Sequence, residues 1–371
     1  MKVRASALIA SPGKFETIEV DLDRPRQGEV LVKMAAAGLC HSDDHIATGD
    51  LPVGTYPVVG GHEGAGVVEE VGPHTTGVEV GDHVVLSFMP VCGRCRWCST
   101  GRQNLCDLGA MILAGSRYAD PTSYRMTYEG QPVGQMCGTS TFAEYTTVDV
   151  RSIVVIPKDI PLDVASLVGC GVITGWGSAV NAGEVGPGDV VIVMGIGGVG
   201  MNAVQGARHA GAAQVIVAEP VENKHQIAKT FGATSAYSSI EEAADYARTQ
   251  TNGQGADVTI ITTGVTTGEH IAQGFASVRK AGTLVVAGFG NPAAVGVPIA
   301  GPELVLYQKR IQGAIFGMAN PTYDIPKVLD LYRAGDIKLD ELITHRYTLD
   351  EVARGYEDMH AGANIRGVIT F

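Results

Sequence analysis

Residues 190–220, VVIVMGIGGVGMNAVQGARHAGAAQVIVAEP, constrain the fold more than any other stretch. The apolar run VVIVM reads as a buried strand, and Gly195-x-Gly197-x-x-Gly200 follows at once. Behind the glycines, Val199, Ala203, Ala207 and Ala210 recur at helical spacing, and VIVA is a second apolar strand. Strand, glycine turn, helix and strand in this order make a βαβ unit, which requires a parallel sheet covered by helices. The glycines permit a tight turn and close backbone approach, and the helix N-terminus offers its unpaired N–H groups to a pyrophosphate. Glu219 ends the second strand, 19 residues after Gly200. A carboxylate at that distance reaches adenosine ribose hydroxyls and repels a 2′-phosphate, which favours NAD over NADP. The alternative is a glycine-tolerant helix start beside an incidental surface glutamate.

A chain of 371 residues exceeds what a single core fills, so about two domains are expected. Residues 1–85 carry short strand-like runs (VRASALI, GEVLVKMAAAG, GVVEEVG, VGDHVVLSF) punctuated by Gly and Pro, as in a small barrel or sandwich. Residues 107–137, DLGAMILAGSRYADPTSYRMTYEGQPVGQMC, read as a long irregular insertion, a length that marks functional loops. After about residue 172, apolar strands alternate with helical stretches, the pattern of a parallel α/β sheet.

The seven cysteines sort into groups. Cys92, Cys95, Cys98 and Cys106 follow C-x2-C-x2-C-x7-C, a spacing that surrounds one tetrahedral zinc without long loop closure. Four thiolates leave no vacancy, so this site is structural; an iron–sulfur cluster or an unmetallated lobe are the alternatives. Cys40 and His62 lie in GLCHSDDHIATGDLPVGTYPVVGGHEGAG, with Glu63 beside the histidine. Thiolate and imidazole suit zinc, and Cys170, in LVGCGVITGWG, is the leading third ligand. Three protein ligands leave one tetrahedral position open, as catalysis requires. The plain alternative is a buried cysteine and a satisfied histidine among glycines.

These features together resemble the zinc-dependent medium-chain alcohol dehydrogenases. The GHE sequence with Gly66 and Gly72 behind it, the four-cysteine lobe, GCG at 169–171 and GIGGVG occur in that family's order, from about residue 5 to Phe371. The resemblance implies a mixed α/β chain: a GroES-like, barrel-type catalytic domain at 1–171 and 315–371, with a zinc lobe near 90–107, and a Rossmann domain at 172–314. It implies Cys40, His62 and Cys170 on a catalytic zinc, with Glu63 as an occasional ligand, and Cys92, Cys95, Cys98 and Cys106 on a structural one. Ser42 and His45 become a proton relay, and Asp43 the residue that fixes the His62 tautomer. His41, Thr174, Gly198, Val199, Lys224 and Arg366 become cofactor contacts, with Arg366 on the pyrophosphate. Many relatives carry arginine where this chain has His41. Phe88, Met136 and Cys137 would line the substrate channel, with ordinary core packing as their alternative.

Within the insertion, CDLGAMILAG and GQPVGQM resemble the actinobacterial nicotinoprotein branch, which keeps NAD(H) bound and passes electrons to a second substrate or external acceptor. The apolar start of that loop argues against glutathione-dependent formaldehyde dehydrogenase. The cysteines argue against a zinc-free quinone reductase, and the relay pair against a non-catalytic redox sensor. The apolar insertion and the Phe88, Met136 and Cys137 channel suggest a primary alcohol of the medium-chain, aromatic or terpenoid kind, and the long insertion resembles that of the dimeric members, which implies a homodimer. A net charge of −12 provides no basic surface for nucleic acid or anionic membrane. The N-terminal apolar run of about five residues is too short for a secretory core, so a cytoplasmic protein is expected.

Overall fold

The computed structural model describes residues 1–371, which form two compact units. The first comprises Met1–Cys170, Asn320–Arg333 and Leu339–Phe371; the second, Gly171–Ala319 and Ala334–Lys338. The resemblance implies re-entry into the first unit near residue 315; it falls at Asn320. Gly177 packs so closely on Gly317 that an added Cβ would lie 2.4 Å from the Gly317 carbonyl oxygen, which ties the 3-10 turn Ile315–Met318 to the second unit. The return at Ala334–Lys338 is held there by Gln205, whose amide donates to the Lys338 carbonyl (3.0 Å) and accepts from its N–H (2.7 Å).

The first unit is built on a closed barrel and a seven-stranded sheet. The barrel runs Lys2–Leu8, Glu16–Leu22, Met126–Tyr128, Gln131–Gln135 and Val58–Val59. Its core is Val3, Ala5, Ala7, Val20, Leu22, Met126 and Val133, contributed by alternate strand positions. The insertion expected to be irregular therefore contributes two strands to the barrel. After the 3-10 turn Asp107–Met111, residues 126–135 form a hairpin with Tyr128 opposite Gln131. The two-residue turn, Glu129-Gly130, has positive φ at both positions (50° and 76°), the geometry that matches strand twist. Asn-Gly or Asp-Gly is the usual signal for such a turn, and a glutamate disguised it.

Polar groups also pin the insertion to the barrel. Glu29, buried at the start of strand Glu29–Gly38, accepts from Arg125 Nε at 2.9 Å and from Arg117. Arg117 also reaches Asp23 at 2.8 Å, and Arg125 donates to Gln135 Oε1 at 2.8 Å. Both guanidiniums are buried. Burial alone would raise the Glu29 carboxyl, but the Arg125 and Arg117 charges and the Arg26 N–H hold it below the usual glutamate range.

The second unit is a six-stranded, wholly parallel sheet in the order Ser235–Tyr237, Gln214–Ala218, Val190–Met194, Ala256–Ile261, Val278–Val286, Arg310–Gly313. Strand order reverses direction between Val190–Met194 and Ala256–Ile261, the switch point where open α/β sheets bind ligands. Val190–Met194 is buried along its whole length, as the apolar run required. No single helix is long and apolar enough to cross a membrane.

Candidate active site

The strand Glu29–Gly38 delivers Cys40 in extended conformation, as the N-cap of helix His41–Thr48. His62 and Glu63 immediately precede strand Gly64–Val71. Gly61 (φ 87°) lets the chain turn there; an added Cβ would meet Thr141 Oγ1 at 2.4 Å. Gly169 plays the same part for Cys170, since a Cβ would lie 2.3 Å from the Leu86 carbonyl oxygen. These approaches bring one donor atom each from Cys40, His62 and Cys170 within 4.8 Å of one another.

Asp43, fully buried, sets the histidine. Its Oδ2 lies 2.8 Å from His62 Nδ1, and its Oδ1 accepts the Gly61 N–H at 2.7 Å. A proton on Nδ1 leaves the Nε2 lone pair facing the sulfurs, and Nε2 is 3.3 Å from Cys170 Sγ. The Cys170 thiol's hydrogen bond, followed by the His62 charge, pulls Cys40 well below the usual thiol range. The same bond and burial push Cys170 well above it. For His62, burial opposes the charge, but Asp43 and Cys40 raise the imidazole well above its ordinary value. Two adjoining thiols, Cys40 half-buried and Cys170 buried, one imidazole and an acceptor behind it fit a divalent zinc with three protein ligands.

Glu63 is not part of that donor group. Its carboxylate pairs with Arg366, and both side chains are buried. Arg366, which the resemblance assigns to the pyrophosphate, pairs in this structure with Glu63, next to His62. The charge of each satisfies the other, which disfavours Glu63 as a ligand in this arrangement.

The four-cysteine lobe is equally assembled. Sγ atoms of Cys92, Cys95, Cys98 and Cys106 lie within 4.8 Å of one another, and all are free thiols. Backbone N–H groups of Cys92, Cys95 and Cys98 donate to the sulfurs of Cys106, Cys92 and Cys95 at 3.3, 3.3 and 3.5 Å. Such bonds stabilise thiolate; the one from Cys98 leads the causes that lower Cys95 to about 6, while burial lifts Cys98 to about 12. A cation that neutralises all four sulfurs fits this set.

Helix His41–Thr48 carries Ser42, half-buried, with its Oγ 3.8 Å from Cys40 Sγ, and His45, buried. His41 is exposed, its ring centroid 6.5 Å from that of His45. Phe88 stands edge-on to the His62 ring, 5.6 Å between centroids at 87°, as a wall beside the metal ligands. Met136 and Cys137 are buried in the apolar cluster with Leu8, Phe15 and Phe142, against which Phe88 packs. Burial lifts the Cys137 thiol to about 12, so it is a packing residue without thiolate character.

In the second unit the glycine turn has the expected form. Gly195 has φ 85°, and helix Gly198–His209 begins behind Gly197. A Cβ on Gly200 would lie 2.1 Å from the Gly195 carbonyl oxygen, whereas a Cβ on Gly197 would meet nothing within 4 Å. The first glycine is needed for packing, the second opens space for a ligand. Glu219 is held at the turn, accepting the N–H groups of Ile196 (2.9 Å) and Val221 (3.1 Å). Val199 and Lys224 are half-buried at the starts of their helices, and Thr174 is buried in helix Gly171–Gly177. Two supports escaped the sequence reading. Thr262 Oγ1 donates to the Gly195 carbonyl at 2.5 Å, and His225 Nε2 lies 2.6 Å from the Glu219 carbonyl oxygen. Thr262 is 67 residues from its partner, a distance no local pattern spans.

A barrel-based unit with a Cys–His–Cys centre and a cysteine lobe, on one chain with a six-stranded dinucleotide-type sheet, defines the class as the zinc-binding dehydrogenases. Comparison with known proteins agrees. The alcohol dehydrogenase GroES-like domain matches residues 26–158, and the zinc-binding dehydrogenase domain matches 198–334. The NDMA-dependent alcohol dehydrogenase of Amycolatopsis methanolica is 50% identical over 369 residues, covering 100% of this chain and 99% of that one. Putative alcohol dehydrogenase D of Mycobacterium tuberculosis is 50% identical over 369 residues, covering 100% of both. The crystal structure of benzyl alcohol dehydrogenase from Acinetobacter calcoaceticus matches with a TM-score of 0.92 at 29% identity, covering 100% and 99%. The chain belongs to the zinc-binding, medium-chain alcohol dehydrogenase family.

Proposed function

We propose that this protein oxidises primary alcohols, aromatic or medium-chain, with NAD(H) that stays bound through the cycle and is regenerated by a second substrate or an external acceptor. The observation that carries the reading is full-length 50% identity to an NDMA-dependent alcohol dehydrogenase in a chain that keeps the Cys40–His62–Cys170 group. Cys40, His62 and Cys170 would hold zinc, which when bound acts as a Lewis acid on the alcohol oxygen, while bound NAD supplies the hydride acceptor. Asp43 keeps His62 in one tautomer. Ser42, two residues beyond Cys40, takes the alcohol proton in this reading, and His45 carries it on. Gly197, Gly198, Val199 and Gly200 form the pyrophosphate turn, and Glu219 selects for unphosphorylated ribose. Phe88 supplies an apolar wall suited to an aromatic or alkyl group.

The test is purification without added cofactor, followed by absorbance of the bound nicotinamide on adding benzyl alcohol and turnover with NDMA. Retained cofactor that is reduced by alcohol and reoxidised by NDMA is expected. Protein that emerges free of cofactor and turns over rapidly on free NAD overturns the retention.

A homodimer fits the sheet edge. Strand Arg310–Gly313 ends the second unit's sheet, with a neighbour on one side only. Val305, Leu306, Ile311 and Ile315 are exposed along this segment, Leu306 at 74%. An unpaired edge with apolar side chains pairs readily with its own copy about a two-fold axis. Ile311→Lys combined with Leu306→Lys is expected to yield monomers in sedimentation; unchanged assembly would place the interface elsewhere.

A further inference from the structure

Helix His41–Thr48 presents three consecutive acid–base residues, and each finds a different partner. Asp43 holds His62, and Asp44 Oδ2 meets His360 Nε2 at 2.8 Å. His45 directs Nδ1 toward Asp50 Oδ2, 3.6 Å away. The burial of this last pair is opposite: the His45 side chain is 4% exposed and that of Asp50 43%. A proton arriving at His45 has almost no direct outlet to water, and Asp50 stands on the water side.

The turn that places Asp50 is a fixed one. The helix ends at Gly49 in the left-handed region (φ 89°), which folds the chain back over the helix end. The Leu51 N–H then donates to the His45 carbonyl at 2.9 Å. Thr48 Oγ1 donates to Asp50 Oδ2 at 2.8 Å, so the oxygen that faces His45 is the one the threonine holds. The His41 ring stands 6.5 Å from that of His45, and the neighbouring Asp44 is engaged by His360.

We propose that Asp50 is the solvent-side terminus of the proton relay, a role that rests on the alcohol-oxidation reading above. In the half-reaction that oxidises the alcohol and reduces the bound nicotinamide, one proton is released per alcohol, and reoxidation by the acceptor takes one back. His45 accepts the released proton on Nε2 and releases the Nδ1 proton to Asp50 Oδ2 after a small rotation that closes the 3.6 Å between them. Asp50 passes it to bulk water and returns to carboxylate, and His45 returns to neutral imidazole. No electron moves in these steps. Asp50 contacts neither substrate nor cofactor in this role; it acts through His45.

The experiment follows single-turnover proton release with a pH indicator, in weakly buffered solution, on the cofactor-loaded enzyme and its Asp50→Ala, Asp50→Asn and Asp50→Glu variants. For Ala and Asn the release rate is expected to fall about tenfold, less than the roughly 10²–10⁴ credited to a direct acid–base group. Added imidazole should restore it, and Asp50→Glu should stay near wild type. Asp50→Ala placed on His45→Gln should cost nothing further. Variants that release protons at the wild-type rate, or a slow rate that imidazole leaves unchanged, would overturn the proposal. Failure of the parent reading shows differently, as wild-type protein that reduces no bound nicotinamide with any alcohol.

Discussion

Cys40→Ser, Cys170→Ser and His62→Gln are each expected to lower kcat/KM for alcohol oxidation by about a thousandfold or more. Lewis-acid stabilisation of a developing alkoxide is worth several kcal/mol, and each ~1.36 kcal/mol is a factor of ten in rate. The three donors come from the helix N-cap after a strand, a glycine turn and the last residue of the first unit's opening segment, and no fourth protein donor joins the group. Loss of one therefore leaves two ligands. Metal analysis should show one zinc ion per chain fewer than in the wild type, with the circular dichroism of the fold retained. Cys95→Ser should also lose one zinc, but its first effect should be on thermal stability, because that lobe has no open position. A Cys40 variant with full metal content and full activity would sink the assignment of this centre.

Glu29→Gln is expected to destabilise the first unit by about 3–5 kcal/mol, the usual cost of removing one partner from a buried charge network. Two buried guanidiniums, Arg117 and Arg125, converge on this carboxylate, and of the two only Arg117 has a second carboxylate, Asp23. For a domain of this size, ~1 kcal/mol moves Tm by roughly 2–4 °C, so a fall of about 10 °C is expected by calorimetry. The pH dependence follows from the lowered carboxyl. The increment is fully present above the unfolded glutamate value of about 4.3 and is lost as pH falls through the lower folded value. Wild-type stability should therefore drop across that acid window, and Glu29→Gln should lack this part of the drop. Equal acid sensitivity of the two proteins would show that the network contributes nothing.

How far each site was legible depends on how far apart its parts lie. The cysteine lobe closes within residues 92–106, and the dinucleotide turn within 195–200, so spacing alone carried both. In the Cys40–His62–Cys170 centre, 108 residues separate the histidine from the second cysteine. Residue chemistry offered two ligands, and the third came as a leading candidate that the family resemblance then placed. Helix His41–Thr48 hid its division of labour. The resemblance puts the first aspartate behind His62, as the structure has it, but nothing in HSDDH says that the second meets His360 or that the histidine faces a carboxylate beyond the helix end.

The amino-acid order by itself determined the local chemistry: which residues can ligate a metal, where the chain must turn on glycine, and which segments are apolar enough to be strands. These are properties of neighbours within a few residues, set by side-chain type and backbone sterics. Only the tertiary structure decided who meets whom. It turned Arg366 onto Glu63, closed Met126–Gln135 into the barrel, and buried Met136 and Cys137 in the core. Such pairings depend on burial, where a charge must find a countercharge and an apolar side chain a neighbour, and residues far apart in sequence satisfy that demand as well as near ones.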